Sequence, residues 1–284
     1  MSRIEVFCKL GQSFLAACGA VYLVIEVIRL LVDGSPCRFW TFLAVSVFFG
    51  LAWFFYNGFC LEGFLRSSVT IQSNSLYGTV FEVCKGDLLK ESGWRVIAVN
   101  EYFDSIVDGM VVAPTSLHGK VLSGFSSDEL DKWNQKVTDE LEGRGKPLQP
   151  SQVRLNPQSK SIQYPIGSTV AMNKNGHKFL FVALTHTNLT TDQASAETSD
   201  LSLAIKGVLQ EARKYCGDEP LVLPLMGSGL GRVKMHPNML LHYIIQAVIE
   251  ECSTEKITGN IKIVIHSKNF KQIDLSIVNK FWRN

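Results

Sequence analysis

Three glycines in five residues mark the stretch Leu223-Pro224-Leu225-Met226-Gly227-Ser228-Gly229-Leu230-Gly231, between a buried apolar run and the start of a helix. A loop without Cβ atoms exposes backbone N–H groups and permits close approach, which is how a strand-to-helix turn cradles phosphate. The plainer alternative is a simple turn, and glycines alone do not separate the two. The loop is not a Walker A motif, because no Lys-Ser/Thr follows the last glycine. Nor is it a G-x-G-x-x-G following the first strand. Metal chemistry finds no support: the six histidines are scattered, and none of the seven cysteines (Cys8, Cys18, Cys37, Cys60, Cys84, Cys216, Cys252) forms a Cys-x-x-Cys pair. Their odd number argues against a secreted disulfide framework and for a reducing compartment around the soluble part.

These residues are positioned by two kinds of sequence. Net charge +2, 19% charged and 46% hydrophobic residues describe the average of 284 residues, but nearly all continuous apolar sequence lies before Leu65. Such a balance, with no basic stripe, gives no case for nucleic acid. Leu10 to Val32 and Phe39 to Phe59 are each long enough to span a bilayer. Asp33-Gly34-Ser35-Pro36 breaks the chain between them. The first segment is too long for a signal peptide, and the second has no polar face for a soluble core. Residues 1–66 are therefore expected to form a transmembrane hairpin, with spans at about 10–32 and 39–59. Arg3, Lys9 and Arg66 flank the spans and place both chain ends in the cytoplasm, although Arg38 in the short turn keeps that signal weak. Glu26 and Arg29 share a helix face. They either pair near the headgroups or face other helices in an oligomer. Gly11, Ala16, Ala17, Gly19 and Ala20 are residues that helix–helix contacts use.

From residue 69 to 284 the pattern is that of an α/β domain. Strands are expected at Val69-Thr70-Ile71 and Thr79 to Val83 around a turn at Asn74-Ser75, then at Arg95–Asn100, Phe179–Thr185, Leu221–Leu225 and Ile261–Ile265. Helices are expected over Ser126–Glu142, with a capping box from Ser126 and Glu129, over the amphipathic run Leu201 to Ala212, and from Pro237 to Ile249. Gly143 to Lys160 reads as an exposed loop. Alternating strands and helices imply a largely parallel sheet covered on both faces, with ligands at the carboxyl ends of its strands.

Gly86-Asp87 after an early strand, Val99-Asn100 at the end of another, Leu117-His118-Gly119 at a helix start and Pro224 to Gly231 resemble, in that order, the macro domain. The stretch GDLLKESGWRVIAVNEYFDSIVDGMVVAPTSLHGKVL is similar to the divergent macro-like domain of the Thoeris bacterial anti-phage system, one of whose effector types carries two N-terminal transmembrane helices. The resemblance implies a three-layer macro-like fold with a mainly parallel central sheet behind a two-helix transmembrane hairpin. It also implies an ADP-ribose-binding role for each matching residue. Asp87 would accept from the adenine amino group, its plainer role being a turn or N-cap. Asn100 would contact ribose, or else simply cap its strand. Backbone N–H groups from Ser116, Leu117, His118 and Gly119 would meet the diphosphate. Gly227, Ser228, Gly229, Leu230 and Gly231 would wrap the phosphates and the distal ribose from the other side. His118 has a sharper reading as a ligand contact and a plainer one as a structural residue, and Thr185 and His186 are pocket candidates by position alone.

The chain departs from the family where hydrolytic members act. Asn100-Glu101-Tyr102-Phe103-Asp104 replaces Asn-Ala-Ala/Ala-Asn, and Ser116-Leu117-His118-Gly119 replaces a Gly-Gly-Val loop. Ser126 to Lys160 has the look of an insertion, a candidate lid or oligomer contact. The expectation is a signal-binding effector with no catalytic residues, cofactor or metal. It would be a multi-pass protein of the cell membrane with a cytoplasmic soluble domain. Its partners would be the bilayer, further copies of itself, and an ADP-ribose-derived signal made by a TIR-domain enzyme. The alternatives are a membrane-tethered ADP-ribosyl hydrolase and a non-binding membrane scaffold.

Overall fold

The computed structural model describes residues 3–31, 39–61, 65–71, 78–229 and 233–282. The chain forms two compact units, residues 1–69 with 271–283, and residues 70–270.

The first unit contains α1 (Arg3–Leu31) and α2 (Phe39–Tyr56), the latter continued by a π-helical turn at Asn57–Leu61. Val6–Glu26 and Leu43–Cys60 are long and apolar enough to cross a membrane by length and composition. The helices pack through small and polar residues: Ser46 and Ser13 are buried with Ala17, and a Cβ on Gly50 would lie 3.0 Å from the Phe14 Cα. Large apolar side chains point the other way, Phe7, Leu15, Leu23 and Phe48 being at least 67% exposed. Ser13, Ala16, Ala17 and Ala20 line an apolar groove of about 750 Å³ with Val45, Phe49 and Trp53. Arg66 Nε donates to the Phe59 carbonyl (2.6 Å) and so caps the end of the second helix. The turn at Asp33 to Pro36, Arg38 and the Arg29 side chain lie outside the described residues, so the Glu26–Arg29 pairing does too. The C-terminal helix of this unit, Leu275–Trp282, was not foreseen from the sequence.

The sheet consists of β1 (Ser68–Ile71), β2 (Val80–Lys85), β3 (Trp94–Asn100), β4 (Thr169–Lys174), β5 (His177–Thr187), β6 (Leu221–Pro224) and β7 (Asn260–Ile265). Their order is β1-β2-β7-β6-β3-β5-β4, and a short strand at Ala194–Ser195 pairs with the end of β5. The pairs β2–β7, β7–β6, β6–β3 and β3–β5 are parallel, whereas β4–β5 is antiparallel. Strands buried on both faces read as continuous apolar runs, and all four residues of β6 are buried. The sequence reading omitted β4. Its signal was Asn175-Gly176, whose positive φ values (48° and 83°) form the tight turn to β5. The turn expected at Asn74-Ser75 lies outside the described residues.

Helices cover both faces of this mixed, mainly parallel sheet. Phe179, Phe181 and Ala183 of β5 join one core with Val121 and Leu122 of α3 (Leu117–Leu122) and Trp133 and Val137 of α4 (Ser127–Glu140). The alternating residues Leu180, Val182 and Leu184 face the opposite layer. That layer contains α5 (Thr198–Tyr215) and α6 (Pro237–Cys252), whose Leu201, Ile205, Leu209, Leu241 and Ile245 are all fully buried. The capping box of α4 is present: Ser126 N donates to Glu129 Oε2 (2.8 Å), and Glu129 N to Ser126 Oγ (3.4 Å).

Candidate functional site

Strands β3 and β6 pair only at Trp94–Leu221 and Arg95–Val222, after which β3 continues to Asn100 beside β5 alone. The chain leaves β3 toward β4 and β5, and leaves β6 toward β7. The sheet therefore opens at a topological switch point, where the carboxyl ends of such strands leave a crevice for ligands.

The loop after β6 forms one rim. Gly227 has φ +79°, and a Cβ there would sit 2.7 Å from Val233 Cγ2, so only glycine fits. Ser228 Oγ donates to the Leu225 carbonyl (2.6 Å) and accepts from Asn269 Nδ2 (2.8 Å), tying the loop to the segment that follows β7. A Cβ on Gly229 would meet nothing within 4 Å. Packing thus explains Gly227 but not Gly229. Leu230 and Gly231, read as part of this loop, lie outside the described residues.

Gly86 N donates to the Ile265 carbonyl (3.1 Å), bringing the ends of β2 and β7 together. Asp87 is half-buried and caps the turn Leu88–Lys90 through Oδ1, which accepts from Leu89 N (3.2 Å). The N-cap role is realised, and Oδ2 makes no hydrogen bond among the described residues. Ser116 caps α3: its Oγ accepts from Gly119 N (2.8 Å) and donates to the Ala113 carbonyl (2.7 Å). The Gly119 N–H is thereby used within the protein, and a Cβ on Gly119 would collide with the Ala113 carbonyl. Leu117 and His118 are left with the first two N–H groups of the helix, which have no acceptor within it.

The His118 imidazole is a core group. It lies 6.0 Å from the Trp133 ring and 6.3 Å from Phe181. Burial and the nearby Lys160 cation push its pKa down to about 3, so it is neutral. The side chain is buried, and Nε2 makes no hydrogen bond among the described residues.

Asn100 is also committed. Its Nδ2 donates to Asp104 Oδ2 (2.7 Å), and its Oδ1 accepts from Asp104 N (3.2 Å). Asp104 Oδ1 accepts from Arg154 Nη1 (3.0 Å) and Lys160 N (3.1 Å), and Oδ2 also accepts from Arg154 Nη1 (2.7 Å). Arg154 Nη2 reaches Asp192 Oδ1 at 3.1 Å, and the guanidinium lies over the Tyr102 ring. Burial opposes the charge on Arg154, but the two carboxylates outweigh it and raise its pKa. Lys160 Nζ donates to the Phe103 carbonyl (2.7 Å) and sits over Trp133, with its pKa pushed down to about 8 by burial despite the Asp104 charge. The segment read as a loop, Gly143 to Lys160, thus straps the end of β3.

Beside the strap, His186 Nδ1 meets Glu101 Oε2 (2.6 Å) and Nε2 meets Asp200 Oδ1 (3.3 Å). Glu101 is buried and also accepts from Gln163 Nε2 and Thr187 N. Burial disfavours the imidazolium, but both carboxylates favour it more, and the His186 pKa is raised. Glu101 and Asp104 stand where the chain departs from the family sequence, and no motif marks Arg154. The available signal was a lone arginine in an otherwise uncharged stretch between Pro147 and Lys160. Among the described residues no group of His, Cys, Asp or Glu could hold a metal ion.

Residues 81–266 match the family model described as Thoeris protein ThsA, Macro domain. The chain is 23% identical over 221 residues to Thoeris protein ThsA of Bacillus amyloliquefaciens (strain Y2), covering 74% of this chain and 70% of that relative. In fold it is similar to the Oceanobacillus iheyensis macrodomain with ADP, at 14% identity and a TM-score of 0.52 over 75% of this chain and 96% of that one. A glycine-to-valine mutant of that macrodomain with ADPR gives 15% identity and a TM-score of 0.52, covering 75% and 98% of the two chains.

Proposed function

Because this chain belongs to the Thoeris ThsA macro-domain family, we propose that it is an anti-phage effector whose macro domain binds an ADP-ribose-derived signal and whose two apolar helices assemble in the membrane in response. The ligand reading rests on one observation above the others: Gly229 has open surroundings on a loop at the switch point, where a ligand could approach the backbone closely. Backbone N–H groups of Gly227 and Gly229 on that rim, and of Leu117 and His118, would supply donors for a diphosphate, whereas that of Ser228 already bonds to the Leu225 carbonyl. Asp87 Oδ2 supplies an acceptor for the adenine amino group. The fold relatives with ADP and ADPR carry ligands of the same class.

The bilayer reading rests on polarity. Ser13 and Ser46 face inward while Phe7, Leu15 and Phe48 face outward, as suits helices in lipid. Two helices cannot enclose a pore, so damage to a membrane requires several copies. The groove beside Ala16 and Ala20 is a surface on which a second copy's helix can pack. A ligand drives such assembly only by binding better to the assembled state. The signal would be made by a TIR-domain enzyme and sensed from the cytoplasm, without turnover.

The test is calorimetric titration of the full-length protein in detergent with ADP, ADP-ribose and ADP-ribose carrying an amino acid on its distal ribose, with the mass measured before and after. Binding without turnover, accompanied by a rise in mass, is expected. Cleavage of the conjugate would make the protein a hydrolase, and binding of none would remove the site from the function.

A further inference from the structure

The end of β3 is built unlike the glycine rim. Asn100 Nδ2 and Oδ1 both bond to Asp104, and the Asp104 carboxylate is satisfied by Arg154, Lys160 and Asn100. The side chains of Arg154, Asp104 and Asp192 are at most 3% exposed. Phe103, between Asn100 and Asp104, has φ +52°, and Asp192 has φ +50°. A fully buried phenylalanine adopts that backbone only where its surroundings over-determine it. Here Lys160 Nζ holds the Phe103 carbonyl, and Trp133 and Tyr164 hold its ring. Three segments distant in the chain therefore converge to set one carboxamide at the crevice edge. Nothing within β3 itself would fix that orientation.

We propose that Arg154 is a positioning residue of the ligand site. Acting through Asp104, it fixes the Asn100 carboxamide and the strained 100–104 segment, so the inserted strap determines what the crevice accepts beyond the diphosphate. This rests on the ADP-ribose reading above. ADP and ADP-ribose share the adenosine and diphosphate that the glycine rim and Asp87 would hold, and only ADP-ribose extends beyond them. Arg154 therefore matters for ADP-ribose and not for ADP.

The experiment measures both affinities by calorimetry for the full-length protein and for Arg154→Lys and Asp104→Asn, with a thermal melt of each. Arg154→Lys keeps the charge but loses the fork that bridges Asp104 and Asp192. Asp104→Asn is isosteric and places an amide donor in a position that now only accepts. Each variant should weaken ADP-ribose about tenfold or more, the worth of a buried charge-assisted hydrogen bond, while ADP changes less than about twofold. An unchanged ratio of the two affinities, or equal losses that track the melting temperature, would show a merely structural role and overturn the inference. A wild-type protein that binds neither nucleotide overturns the functional reading and this one with it, whereas a wild-type that binds both leaves the ratio to decide.

Discussion

The two regions that flank the switch point are built differently. The glycine rim is held by a main-chain turn and the Ser228 hydroxyl, and at Gly229 it presents empty space. The strap rim is filled with protein: a guanidinium between two carboxylates, an ammonium over an indole and a carboxamide with both ends engaged. Backbone donors on an open loop suit a phosphate group, which offers many acceptors and little shape. A pre-organised wall suits the part of a ligand that differs between candidates. On the proposed reading, the glycine loop supplies affinity and the strap supplies discrimination.

The sharpest way to break the comparison is to remove the charge at the centre of the strap. Arg154→Met strands Asp104 and Asp192 as buried carboxylates and should cost about 3–5 kcal/mol in urea unfolding. A loss below 1 kcal/mol would mean that the network is not what holds the strap.

The glycine rim gives a smaller and divided response. Gly227→Ala must place a Cβ against Val233 at φ +79° and should cost about 1–3 kcal/mol. Gly229→Val should leave stability within about 0.5 kcal/mol and weaken ADP-ribose about tenfold, because its cost falls on the ligand alone. If Gly229→Val binds normally, the open space has no occupant and the rim is a plain turn.

Two histidines sharpen the strap side through pH, with opposite signs. The folded pKa of His118 is depressed to about 3, so the unfolded chain takes up a proton first as pH falls below 6.5. Stability should therefore fall by about 1.4 kcal/mol per pH unit below that point, and His118→Phe should flatten the slope. The folded pKa of His186 is raised, so its contribution is complete below 6.5 and is lost as pH rises through the folded value. That effect is the smallest of all, because half of the ring is solvent-exposed and its ion pairs are screened. Urea titrations of His118→Phe and His186→Gln across pH 4 to 9 separate the two, and parallel profiles would contradict both assignments.

Much of the fold was legible as periodicity. The parallel strands β3, β5, β6 and β7 are short apolar runs, α5 and α6 carry their cores at helical spacing, and the α4 cap is written in Ser126 and Glu129. The edge strand β4 was missed because Thr169–Lys174 ends in polar residues, and its Asn175-Gly176 turn was not used. The site was legible only in part. The glycine types at Gly227 and Gly229 mark the loop, and the motif marks Asn100 and His118, but the Asn100–Asp104 bonds and the burial of the His118 ring are not written in the motif.

What the sequence alone determined is local: two long apolar helices, the alternation of strands and helices, and a glycine loop between a strand and a helix. Each follows from residue types a few positions apart, where period and turn chemistry act. Only the tertiary structure decided that Arg154 reaches back fifty residues to Asp104 and forward to Asp192, or that Glu101 and Asp200 clasp His186. Such contacts leave no period in the chain, because a buried charge chooses its partners by where the packed elements place them in space.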